Sequence, residues 1–556
     1  MNNLLVLGIL LFVPFYSGGP ALGQNTQPFS HEAGAAKGQH DAYGEQLGTV
    51  QFPVSCNMAA SQHAERGLAL LHHMTYEGAR AAFAAATEAD PECAMGYWGQ
   101  VMSFIHPLWS DPPGEADFKK GQALVKKAET RGKKTQREVA YIAAVKKYYA
   151  EGWSQKEQAN LAGFEQGWRK VHEQFPDDPE AASFYALAHL ATADPADKSY
   201  AIQKRAAAIA QKVLKSIPDH PGAHHYMIHA YDYPPLAEKA LEVARHYGTI
   251  APEISHSLHM PSHIFTRLGL WQESIDMNRR SAAAALKHAA GEKFSLHYLH
   301  ALDYLAYAYL QRGEDQKAKE VLNTIKSLEG PVQAHLVSAY ALVAIPARVA
   351  LERQQWAEAA GLKPGTPESF PWEKFPAMEA ITYFVRALGA ARSDDVEAAR
   401  QAFEKLEALR EQTQAEYWGN QIDIQQLSAK AWLEYQEGKQ EEALEKMKMA
   451  AEMEAGTEKH PVTPGEVLPA REMLADMLLA MGRYQEAHSA YFTALERSPK
   501  RFNSLYGAGR AAELEGDRRK AALNYKRLVE VAAKTDAGRE RLQQAKAFLA
   551  ANKFIE

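Results

Sequence analysis

The sequence predicts an all-α protein, a right-handed superhelical solenoid of about ten helical hairpins. Three observations lead there. Hydrophobic residues make up 46% of the 556, alanine, leucine, glutamate and lysine are frequent, and β-branched runs are scarce, a composition that favours helices. The chain repeats itself every 34 residues, the length of a helix–turn–helix unit that buries its apolar face only by stacking on its neighbours. The repeat is punctuated as such a unit requires. Gly482, Tyr484, Ala487, Tyr491, Ala494 and Pro499 supply a turn, packing aromatics, small residues at helix crossings and a stop, and Gly516, Ala521 and Tyr525 repeat that pattern one period later.

A net charge of −6 with a pI near 6.4 gives no basic face for nucleic acid. Residues 4–16 are an apolar run too short to span a bilayer, and small residues follow it, so 1–23 reads as a secretory signal peptide. No later stretch has the length and apolarity of an integral membrane segment. Residues 24–51 are rich in Gly, Gln, His, Asn and Ser, which predicts a disordered leader.

The N-terminal pair of repeats covers 52–114, the first carrying Tyr76, Ala79, Phe83, Ala86 and Pro91 at the packing positions. Cys56 precedes its first helix and Cys93 lies in the turn before the next, on one edge of adjacent units. An exported chain meets an oxidising compartment, so a Cys56–Cys93 disulfide is expected; the alternative is two small buried hydrophobes. Over 115–178 the register is lost while the helical pattern persists, giving three longer helices near 115–131, 134–151 and 156–175. Repeats resume over 179–332, with Pro221 and Ser255 opening two of them. An inserted loop of about ten residues follows, and the register restarts at Leu299. The C-terminal repeats fill 333–556 and end in a capping helix. Two proline-rich segments interrupt them: 361–376, read as a lid or a packed surface loop, and 459–469, expected along a groove rim.

These units resemble the tetratricopeptide repeat superfamily over the whole mature chain. The segments His259-Met260-Pro261-Ser262-His263-Ile264-Phe265-Thr266-Arg267-Leu268-Gly269 and His460 to Glu472 are similar to large exported bacterial repeat proteins without an assigned activity. The resemblance implies that positions 2, 5, 9, 12 and 13 of each first helix line a concave groove that takes a protein or peptide. His225 and His259 then stand at position 5 and His229 and His263 at position 9, with His256 at position 2 and His72 and His106 at position 13. Asp303 and Tyr307 continue the rows at positions 5 and 9, as do Glu472 and Asp476 further on.

Residues four apart share a helix face, and neighbouring first helices pack about 8–10 Å apart. His225, His229, His259 and His263 are therefore expected to converge on one divalent metal, with Zn or Cu best suited to nitrogen donors and Fe or Ni possible. A closed four-histidine site would be structural or a carrier. Three ligands backed by Asp303 or Glu253 would leave a position open for water. Against this stands a plain account, in which one hydrogen-bonded histidine pair was copied into the next repeat. Pro261 threatens the geometry, because a helix beginning there leaves His259 outside it. No phosphate loop, nucleophile elbow or reactive-cysteine motif is present. The sequence thus points to an exported binding scaffold with a metal in its groove, then to a metal-dependent enzyme in that groove, then to a metal-free interaction module.

Overall fold

The computed structural model describes residues 45–109, 111–153, 157–287 and 294–552; the expected signal peptide and residues 24–44 of the leader lie outside them. Helices dominate, and the β-pairing among the described residues is confined to isolated bridges such as Phe294–Val332. Consecutive helices pair as hairpins, from Met58–His72 with Tyr76–Ala89 to Phe502–Glu515 with Arg518–Val531, and Glu540–Ala551 covers the last of them. The described helices make twelve such pairs, two more than the register alone suggests. One of them, Gln136–Tyr148 with Gln158–Gln174, lies in the irregular segment, where Glu115–Thr130 pairs back onto Ala94–Met102 and the 34-residue spacing is lost. The fold is an all-α array of stacked helical hairpins. No described helix is long and apolar enough to cross a membrane.

Local chemistry sets the helix starts. The Asp178 side chain accepts from Glu180 N at 3.1 Å while Pro179 occupies the first turn. His220 does the same with its ring, Nδ1 accepting from Ala223 N at 3.0 Å, ahead of Pro221. Thr135 and Glu138 form a reciprocal capping box. Pro261 has no N–H to donate back, so the first helix of its repeat is split into Ser255–His259 and Pro261–Arg267. His259 closes the short leading piece instead of preceding the helix.

The repeats do not leave an open groove, because three segments fill or close it. The leader is ordered before residue 51, contrary to expectation: Leu47 is buried, its carbonyl accepts from His73 Nε2 at 3.1 Å, and Thr49 N donates to Asp219 O at 3.0 Å. Gln51 N and Ser55 N then donate to the Glu180 and Glu138 carboxylates, both at 2.7 Å. Residues 459–469 run through the interior, not along the rim. Lys459, His460, Val462 and Thr463 are buried there, and Tyr304 Oη and Tyr340 Oη donate to Thr463 O at 3.1 Å and Thr463 Oγ1 at 2.7 Å.

The C-terminal repeats also return onto the middle ones. Trp271 Nε1 donates to Lys500 O at 3.1 Å, and Thr535 Oγ1 to Gly313 O at 2.7 Å. Gly269, at φ +63°, lies so close to this contact that a Cβ would sit 2.7 Å from Pro499 O. The 361–376 segment packs as a surface loop, with Phe370 and Trp372 buried and Trp372 Nε1 donating to Pro367 O at 2.9 Å. Cys56 and Cys93, on the edge of the first two hairpins, are joined as a disulfide.

Candidate metal centre

The four histidines expected to share one point divide into two pairs, each joined by a further histidine. Ring nitrogens of His225, His229 and His256 lie within 4.8 Å of one another, and so do those of His259, His263 and His300. Each repeat's own pair is close, with ring centroids 4.9 Å apart for His225–His229 and 5.0 Å for His259–His263, whereas His229–His263 across the repeats is 6.0 Å. The physical reason is helix spacing. A third imidazole from position 2 of the following repeat reaches each pair before the next pair does. His256 holds that position after Ser255, and His300 holds it after Leu299.

In the first trio, His225 Nδ1 donates to the carbonyl of His72 at 2.7 Å, which places its proton and leaves Nε2 as a bare lone pair. That Nε2 is buried with no hydrogen-bond partner, as are Nε2 of His229 and both ring nitrogens of His256. Three nitrogens at a Zn–N distance of about 2.0–2.1 Å lie roughly 3.3–3.6 Å apart. The observed spacing closes to that with small ring movements.

In the second trio both protons are also placed. Asn278 Nδ2 donates to Ser274 O at 2.8 Å, which turns Oδ1 toward His259 Nδ1 at 2.7 Å. The Asp232 carboxylate accepts from His263 Nδ1 at 2.9 Å and from Arg267 Nε and Lys459 Nζ at 2.8 Å each. The Nε2 lone pairs of His259 and His263 are therefore turned on each other at 3.1 Å. Burial, reinforced by neighbouring imidazoles, holds His225, His256, His259 and His300 well below the ordinary histidine range and pushes His229 down to about 3. Imidazole in this state is the neutral, ligating form.

Both trios border one inner cavity lined by His229, His256, His263, His297, His300 and His460, with about 40 Å³ for the centres of water-sized occupants. Trp109, His256 and His297 form a wall between it and an outer pocket of about 500 Å³. In that pocket Asp111 accepts from His106 Nδ1 at 3.1 Å and His335 Nε2 at 3.2 Å.

The other sequence-derived candidates lie elsewhere. His72 Nε2 and His220 Nε2 both donate to the buried Glu180, at 2.7 and 3.2 Å, and their Nδ1 atoms accept from Tyr226 Oη and Ala223 N. This trio has no lone pair left for a metal; His72 serves the centre only through its carbonyl. His106 belongs to the outer pocket. Asp303 pairs with Arg348, Tyr307 and Glu472 with Arg501, and Asp476 with Tyr491 Oη, so none stands behind the ligands. Glu253 lines the outer pocket and pairs with Lys287 at 3.1 Å, and it bonds none of the trio histidines. The carboxylate that does back a ligand is Asp232. Sequence reasoning placed His256 behind the ligands and missed His300, whose offset from His256 is one period plus the inserted loop.

The chain matches no family model and no curated protein. Among solved structures it is similar to a tetratricopeptide repeat protein from Parabacteroides merdae at 16% identity, covering 53% of this chain and 98% of that one, TM-score 0.28. It is also similar to yeast Tom70 (11% identity, 89% of each chain, TM-score 0.30). A third is the human IFIT1 dimer with PPP-AAAA (12% identity, 86% and 92%, TM-score 0.38).

Proposed function

We propose that this chain is an exported metal-binding protein that encloses a divalent ion, Zn or Cu, within its helical repeats, with His225, His229 and His256 as ligands. One observation carries the reading. Three imidazoles, His225 and His256 buried and His229 half-buried, converge with buried ligand nitrogens that have no hydrogen-bond partner in the protein, and an orphaned buried acceptor costs about 1–3 kcal/mol. The His72 carbonyl orients the His225 ring as a partner behind a metal-bound imidazole should. Export is supported by the apolar run at 4–16 and is compatible with the Cys56–Cys93 bond.

The same geometry disfavours a plain docking module. A concave face that would take a partner peptide holds residues 459–468 of the chain itself at this level. An ion with three histidine ligands keeps a coordination position free, and the outer pocket beside His256 gives a small molecule a route toward it, which makes catalysis the second reading.

Elemental analysis of the untagged full chain after equilibration with Zn²⁺ or Cu²⁺ and removal of excess tests the first reading. Bound metal that is diminished in a His225→Gln/His229→Gln variant of wild-type helicity is the expected result. A folded wild-type chain that retains no metal overturns it.

A further inference from the structure

The geometry points to a second ion. We propose that His259, His263 and His300 hold a metal of their own, so that the protein carries two ions at one shared cavity, a two-ion centre encoded twice by the same repeat. The inference rests on the metal-binding reading above and adds a site to it.

Two observations, independent of those for the first trio, support it. The first is register. Each trio consists of positions 5 and 9 of one repeat and position 2 of the next: His225, His229 and His256, then His259, His263 and His300. The ten-residue insertion before Leu299 hides this in the sequence, but the fold absorbs it and returns His300 to the same place, 4.1 Å between ring centroids from His259. An identical backbone lattice presents identical donors twice.

The second is the pair of opposed lone pairs. Asn278 and Asp232 take the Nδ1 protons of His259 and His263, and the two Nε2 atoms then face each other at 3.1 Å, with the Tyr304 hydroxyl, which donates to Thr463 O, at 3.5 Å from that of His263. Two acceptors at that distance repel unless a cation lies between or beside them. A proton shared between the two rings is the competing occupant, and a metal count distinguishes the two. A metal ion satisfies both lone pairs and the His300 ring together. Asp232 and Asn278 hold the ligands from behind, in the arrangement that fixes tautomer and ring direction around bound metals.

The trios are neighbours, with ring centroids 6.0 Å apart for His229–His263 and 6.2 Å for His256–His259. Histidines of both line the one inner cavity, so a small ligand entering past Trp109 and His297 meets both ions.

Metal stoichiometry decides this. The untagged full chain is stripped with a chelator, dialysed against Zn²⁺, freed of excess and assayed for zinc per chain, with circular dichroism confirming the fold. Two zinc ions per wild-type chain are expected, falling to one in His259→Gln/His300→Gln and to one in His225→Gln/His256→Gln. One zinc in the wild type, unchanged in His259→Gln/His300→Gln, overturns the second site and leaves the first intact. No zinc in the folded wild type overturns both. Should a variant not fold, the wild-type count of two against one still gives the answer.

Discussion

Positions 5 and 9 of the first helices are occupied in two opposite ways along this chain. In the repeats opening at Pro221 and Ser255 they hold paired histidines, while in the repeat opening at Leu299 and in the one bearing Glu472 they hold Asp303, Tyr307 and Glu472. The backbone lattice is the same and burial is similar, yet the acidic residues each meet an opposite charge. Arg348 bonds Asp303 at 3.0 Å and also reaches Thr463, Gly465 and Glu466 on the interior segment. Arg501 bonds Glu472 twice at 2.9 Å, Glu352 at 2.7 Å and Tyr307 Oη at 3.0 Å. Of the histidines, by contrast, His225, His259 and His263 have Nδ1 anchored, Nε2 of His225 and His229 has no partner, and Nε2 of His263 has only the Tyr304 hydroxyl at 3.5 Å besides His259. The difference teaches that the buried carboxylates at these positions are each paired with a guanidinium of the chain, with only Asp303 Oδ2 left over, whereas the imidazole half leaves Nε2 of His225 and His229 and both ring nitrogens of His256 without a partner in the protein.

The largest expected effect breaks the closed half. Arg501→Met leaves Glu352 and Glu472 buried without their counter-charge, and removing one partner of a buried ion pair costs about 3–5 kcal/mol. Chemical denaturation should show that loss with zinc stoichiometry unchanged in the fraction that folds; a loss below about 1 kcal/mol would mean the network contributes little. Adding metal sharpens the other half. Zn²⁺ at about 100 times its dissociation constant stabilises a folded-state-only site by about 2.7 kcal/mol, visible as a raised melting temperature that His225→Gln/His229→Gln reduces and Arg348→Lys does not.

Acidification of the metal-free protein separates the halves by pH. His73, which donates to the Leu47 carbonyl of the N-terminal strap, and His460 are both pushed down to about 3 by burial. Their unfolded forms take up a proton near 6.5 and their folded forms do not. The stability they lend is therefore complete above pH 6.5 and is lost as pH falls toward 3, at about 1.4 kcal/mol per pH unit for each group through the middle of that window. Glu472 has its carboxyl held below the usual range mainly by the Arg501 guanidinium, so its contribution is lost only below about pH 4.5. Denaturation midpoints measured between pH 7 and 4 should fall in the wild type and fall less in His73→Phe. The smallest effect tests a correction. Glu253→Gln removes only an exposed pair with Lys287, so stability should change by less than about 0.5 kcal/mol and metal content not at all.

Much of the architecture was legible in advance, because a hairpin repeat is local: glycine at the turn, small residues at the crossing and a 34-residue period act within neighbouring helices. The histidine pairs at 225/229 and 259/263 were legible for the same reason, as was Cys56 beside Cys93. The hairpin of Gln136–Tyr148 with Gln158–Gln174 was not, since the 115–178 helices keep an apolar face without keeping the period. Nor were Asp232 behind His263 or Lys459 against Asp232, partners 31 and 227 residues apart in sequence.

What the sequence by itself determined is therefore the unit and its donors: helical hairpins in register, with imidazoles placed on the inward face at positions 2, 5 and 9. Only the tertiary structure decided which imidazoles meet, that they meet as two trios instead of one quartet, and that His460, Pro461 and Val462 line the cavity beside them. The physical reason is that helix periodicity sets the direction of a side chain, whereas its neighbours and its loss of solvent depend on segments that arrive from hundreds of residues away.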